Sequence, residues 1–144
     1  MDDRPIGIFD SGVGGLTVVN ALVKNISSEK IYYVGDTARV PYGNKSRERI
    51  QQYSEQIIDW LIKKDCKMVI VACNTASSLA IDYLQRKFSL PIVGVIDPGV
   101  QLAISKTKSQ SIGVIGTNAT IQSNAYGEKL KSIRPEINIF NQPC

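Results

Sequence analysis

Met68-Val-Ile-Val-Ala-Cys73-Asn-Thr-Ala-Ser-Ser78 is the stretch on which the fold turns. Its first residues are of buried type and run up to a thiol without polar alternation, as expected of a central parallel strand covered on both faces. Asn74, Thr75, Ser77 and Ser78 are helix-capping types. Leu79, Ala80, Tyr83, Leu84 and Phe88 behind them carry the spacing of one amphipathic helix. Cys73 therefore stands at the carboxyl end of a strand, just before a helix start. Unpaired N–H groups and the positive end of the helix dipole favour a thiolate there, which predicts a pKa lowered from about 8.5 toward neutrality. A small hydrophobe filling a strand end fits the same residues, and this stretch alone does not separate the two readings.

The pattern repeats on either side. Pro5 to Phe9 reads as a strand, followed by the glycine-rich turn Asp10-Ser11-Gly12-Val13-Gly14-Gly15 and a helical spacing at Leu16, Val19, Leu22 and Val23. Such a turn can wrap a carboxylate or phosphate in N–H groups. Neither the dinucleotide fingerprint nor a P-loop is matched. Asp10 would repel a pyrophosphate but accept bonds from an ammonium, which favours a zwitterionic ligand, and capping of the following helix by Asp10 or Ser11 is the plainer alternative. Lys30 to Gly35 is the next strand. The long connection Asp36 to Lys45 offers Tyr42 and Gly43 after Pro41, as backbone donors, a phenol or simple packing. Ser46 caps a helix whose apolar stripe is Ile50, Tyr53, Ile57 and Leu61.

Beyond the central strand come Pro91 to Ile96 as a strand, Asp97-Pro98-Gly99 as a turn and hinge, and a helical stretch from Val100 to Ser105. Ser111 to Gly116 is another strand, with Thr117 to Thr120 at a helix start, and Ile137 to Phe140 is the last. Strands alternating with helices predict an α/β class, a doubly wound and mostly parallel sheet with helices on both faces. Ligands of such sheets bind beyond the carboxyl ends of the strands, where Asp10, Ser11, Tyr42, Cys73, Asn74, Thr75 and Thr117 all fall.

Composition narrows the classes. The 144 residues amount to one ordinary domain's worth of chain, with no run of about 18 apolar residues to span a membrane and an acidic N-terminus unlike a signal peptide. A cytoplasmic protein is expected. Cys66, Cys73 and Cys144 are an odd number without CxxC spacing and the chain has no histidine, which argues against a disulfide framework and a metal site. The net charge of +4 is spread over ordinary helix surface, so no nucleic-acid partner is expected. Self-association into a homo-oligomer is left open.

Four segments together carry a resemblance: FDSGVGG (9–15), GDTARVPYG (35–43), ACNTAS (72–77) and IGTNAT (115–120). In this order and spacing the chain resembles the glutamate racemases. The resemblance implies a cofactor-independent isomerase of two α/β domains that interconverts L- and D-glutamate and supplies D-glutamate for peptidoglycan. It implies that Cys73 is one of two catalytic thiols. Asp10, Ser11, Tyr42, Gly43, Asn74 and Thr75 would hold the substrate, and Thr117 and Thr120 would help to bind its carboxylates.

Inversion without a cofactor needs a base on one face of the α-carbon and an acid on the other, with fixed donors for the anionic intermediate. Thiols can serve both roles, and no lysine near the strand tips suggests a pyridoxal Schiff base. The family's second thiol lies in a GCTH motif that has no counterpart here, and Cys144, after Gln142-Pro143, does not match it. By resemblance, residues 1–97 are most of a first domain and 98–144 the opening part of a second, in a chain expected to be inactive alone. Two other classes remain open: a glutamate-binding or interaction module without catalysis, and an enzyme using Cys73 as nucleophile, which would need a general base such as histidine.

Overall fold

The computed structural model describes residues 2–144. Four parallel strands, β1 (Ile6–Asp10), β2 (Ile31–Gly35), β3 (Met68–Val71) and β4 (Ile92–Gly94), form one sheet in the order β2-β1-β3-β4. β1 and β3 are its centre, with Ile6 opposite both Ile31 and Met68 and Phe9 opposite Val34 and Val71. All five residues of β1 are buried, because it has a strand on each edge and a helix over each face. Helix α1 (Leu16–Asn25) lays Val18, Val19 and Leu22 against Ile6, Ile8 and Ala72 on one face. Helix α2 (Arg47–Lys63) brings Ile50, Ile57, Ile58 and Leu61 against Phe9, Val69 and Val71 on the other. This is the doubly wound α/β arrangement that the alternating pattern predicts.

Ser46 caps α2, its Oγ accepting from Arg49 N at 3.3 Å. The single helix expected after Cys73 is instead two, α3 (Asn74–Leu79) and α4 (Ile81–Lys87), which meet at Ala80 with φ −122° and ψ −17°. Nη1 of Arg47 and Nε2 of Gln51 both reach the Leu79 carbonyl from α2, at 3.3 Å each, and satisfy it where the helix bends.

Asp97-Pro98-Gly99 is not a turn. β4 ends at Gly94, and helix α5 (Ile96–Lys106) takes all three residues into its first turn. First-turn N–H groups have no partner within a helix, so proline loses nothing there. A second sheet pairs β5 (Ser111–Gly116) with β6 (Asn138–Pro143), again parallel, with β6 extending further than the sequence pattern indicated. Helices α6 (Asn118–Gln122) and α7 (Ala125–Ile133) connect them. Ile96, Val100, Val114, Leu130 and Ile137 form this sheet's own core, while Ile115 and Phe140 stand exposed on its far face. Among the described residues no helix is long and apolar enough to cross a membrane.

Candidate active site

Cys73 is the N-cap of α3. Its extended backbone (φ −81°, ψ 120°) turns Sγ back over the first turn, where it accepts from Ala76 N at 3.5 Å. The thiol donates to Ser11 Oγ, also at 3.5 Å. The helix-start position is therefore as the sequence indicated, but the electrostatic outcome is reversed. Burial pushes the Cys73 thiol above its ordinary value near 9.0, and the Asp10 carboxylate adds to the effect. Bonding to Ala76 N–H and to Ser11 pulls the other way without overcoming the desolvation of a side chain only 5% exposed.

Asp10 closes the glycine-rich turn. Its Oδ2 accepts from Gly12 N at 3.2 Å and from Gly15 N at 3.0 Å, so one carboxylate oxygen braces the turn, whereas α1 starts after Gly15 with no side-chain cap, against the plainer reading of Asp10 or Ser11 as a helix cap. Gly15 is glycine for want of space: a Cβ there would stand 2.7 Å from Asp10 Cβ and 3.1 Å from Ala72 Cβ. Tyr33, which the sequence did not single out, donates to the Gly12 carbonyl at 2.8 Å and props the turn from β2.

Tyr42 lies in a 3-10 turn (Tyr42–Asn44) and is only 2% exposed. Its phenol donates to buried Asp36 at 2.5 Å, and Asp36 also pairs with Arg39 at 2.7 Å. Burial, and then the bond to Asp36, push the phenol far above its ordinary range. The phenol is thus committed to the core, leaving the main chain of Tyr42 and Gly43 as what this turn can offer a ligand. A Cβ on Gly43 would lie 2.7 Å from Thr117 Cβ, so the turn is packed directly on the second sheet's strand tip.

Three hydroxyls close the junction between the two sheets. Thr75 Oγ1 lies 3.0 Å from Thr117 Oγ1 and 3.3 Å from Thr120 Oγ1, and the latter two are 3.0 Å apart. Thr117 also caps α6 by accepting from Thr120 N. Asn74, at the first position of α3, is exposed, and its Oδ1 accepts from Tyr126 Oη at 2.6 Å. Asn74, Thr117, Thr120 and Tyr126 share a cavity of about 530 Å³ beside β5, with Cys144 on its lining.

Asp10, Ser11 and Cys73 are thus joined into one cluster, and Thr75, Thr117, Thr120 and Gly43 into a second, with Asn74 and Thr75 following Cys73 directly in the chain. Cys66 lies at the opposite end of β3, buried beside Gly7. Among the described residues no group of three or more His, Cys, Asp or Glu is placed to hold a metal ion. Tyr126, Asp36 and Arg39 escaped the sequence reading. Asp36 and Arg39 sat inside the quoted GDTARVPYG motif, whereas Tyr126 meets Asn74 across 52 positions of chain and left no local signal.

The Asp/Glu/hydantoin racemase family model matches residues 6–140. The chain is 50% identical over 141 residues to the glutamate racemase of Geobacter metallireducens, covering 98% of this chain and 52% of that protein. It superposes on the crystal structure of glutamate racemase isoform RacE1 from Bacillus anthracis with a TM-score of 0.96 at 40% identity, covering all of this chain and 54% of that one. Glutamate racemase from Francisella tularensis, solved in complex with D-glutamate, matches with a TM-score of 0.91 at 44% identity over the same shares. The chain spans about half the length of the curated relatives it matches.

Proposed function

The chain belongs to the Asp/Glu/hydantoin racemase family, and we propose that it carries one half of a glutamate-racemising site, in which Cys73 exchanges a proton with one face of the α-carbon. The observation that carries this reading is the placement of Cys73 Sγ at a helix start, 3.5 Å from Ser11 and beside the Asp10 turn. A ligand ammonium accepted by Asp10 would bring positive charge next to the thiol. That charge opposes the desolvation that holds the proton on sulfur, so substrate itself would help to generate the base. The amide of Asn74, the hydroxyls of Thr75, Thr117 and Thr120, and the main chain of Tyr42 and Gly43 would bind the carboxylates and stabilise the anionic intermediate.

Acid and base roles both fall to thiols in this reading, which is a cofactor-independent scheme. The physiological role would be cytoplasmic supply of D-glutamate for peptidoglycan. We further propose that residues 1–97 are most of one α/β domain and 98–144 belong to another, the change falling in the first turn of α5. Inversion needs a second thiol opposite Cys73: Cys66 lies at the far end of β3, and Cys144, on the cavity beside β5, gives its thiol to the Gly116 carbonyl. Glutamate binding without inversion by this chain is therefore expected.

Proton NMR and polarimetry of D- and L-glutamate in heavy water test this. The 144-residue chain should bind glutamate and exchange the α-proton of one enantiomer slowly, with loss of exchange in Cys73→Ala and no change in optical rotation. Rapid loss of rotation abolished by Cys73→Ala would mean that this chain supplies both acid and base. Absence of both binding and exchange would overturn the reading.

A further inference from the structure

Tyr126 reaches from α7 to the first residue of α3, and the contact it makes there has a direction. Its ring packs against the core of the second sheet and across Gly99, where a Cβ would stand 3.5 Å from both Cε1 and Oη. Its Oη donates to Oδ1 of Asn74 at 2.6 Å. An asparagine amide has an accepting end and a donating end, so a donor held on Oδ1 fixes where the NH2 group lies. That NH2 group meets no protein acceptor among the described residues, and the side chain opens onto the cavity shared with Thr117 and Thr120. Asn74 is otherwise an exposed side chain at a helix start, free to rotate and to exchange its two ends. Ordering it at the moment of binding would cost affinity.

We propose that Tyr126 is a positioning residue: by donating to Asn74 Oδ1 it presents the Asn74 NH2 group, already oriented, to a carboxylate of glutamate bound beside Cys73. The proposal rests on the reading of the site given above. It also assigns Tyr126 a part in recognition from the second sheet, whereas the thiol and the ammonium-accepting turn belong to the first.

The side-chain amide pair of Asn74 in 15N-labelled chain can be assigned by its disappearance in Asn74→Asp. In the unsubstituted chain this pair should be shifted from free asparagine values, and Tyr126→Phe should return it toward them, with circular dichroism unchanged. Titration with D- and L-glutamate should show binding weakened about tenfold by Tyr126→Phe, the scale of one neutral hydrogen bond. Tyr126→Phe should add no further loss in an Asn74→Ala background. Asn74→Asp keeps an acceptor for Tyr126 but sets a carboxylate against a carboxylate, and should bind more weakly than Asn74→Ala. An unmoved amide pair, or a Tyr126→Phe loss that is equal in both backgrounds, overturns the positioning role while leaving the glutamate site standing. Failure of the unsubstituted chain to bind glutamate overturns the site reading and this proposal with it.

Discussion

Cys73 shows how one position can satisfy a structural expectation and reverse an electrostatic one. The helix-start geometry is present, yet burial pushes the Cys73 thiol up where the helix start alone would lower it. Alkylation with iodoacetamide, followed by mass spectrometry for each cysteine, should find exposed Cys144 labelled ahead of Cys73 at neutral pH. The Cys73 rate should still be climbing above its ordinary value near 9.0. A half-maximal rate well below that value would show that the helix start wins after all. Linkage gives the same group a part in stability. A thiol whose pKa is higher in the folded chain stabilises it fully below about 9 and progressively less as pH rises through the folded value. The buried phenol of Tyr42 follows the same sign from its ordinary value near 10.0 upward. Stability should therefore fall on the alkaline side, and Cys73→Ala should flatten the first part of that fall in urea titrations.

Helix α3 owes its position to a few polar bonds as much as to packing. Ser77 Oγ donates to the Val71 carbonyl at 2.9 Å and accepts from Val95 N at 3.3 Å, so one hydroxyl ties the helix to the ends of both β3 and β4. Ser77→Ala would strand the buried Val71 carbonyl and the partly buried Val95 N–H. It should cost about 1–3 kcal/mol in urea unfolding. A loss within the scatter of surface substitutions would show that water replaces the hydroxyl. The sequence made much of this scale legible: strand periodicity, the Ser46 cap and the strand tips depend on neighbours within a few residues. Where it misled, a distant partner decided. The bend at Ala80 is completed by Arg47 and Gln51 from another helix, and Asp97-Pro98-Gly99 reads as a turn because proline and glycine punctuate loops as readily as they enter a helix's first turn. Tyr126 could not be read at all, since nothing around it in sequence points to Asn74. The Cys73 pKa direction was illegible for a related reason: burial is a property of the assembled fold, and the dipole argument is local.

At the scale of the molecule, two sheets of unequal enclosure meet at the threonine cluster and at the contact between Tyr126 and Asn74. β1 is hydrogen-bonded on both edges and covered on both faces, whereas among the described residues β5 and β6 pair only with each other and leave Ile115 and Phe140 in solvent. Amide hydrogen exchange should therefore slow in steps across the chain, with β1 and β3 protected longest and β5 and β6 released through smaller openings. Equal protection in both sheets would mean that the junction binds them into a single cooperative unit. The triangle of Thr75, Thr117 and Thr120 has a consequence in time. Each hydroxyl has one proton, so the ring's three contacts can be satisfied by donation in one sense of rotation or the other. In the proposed site an incoming carboxylate would recruit hydroxyl protons from that ring, and binding would then reverse a donor and acceptor pattern as well as fill a space. The arrival of ligand would be felt in β5 through those protons before any strand had moved.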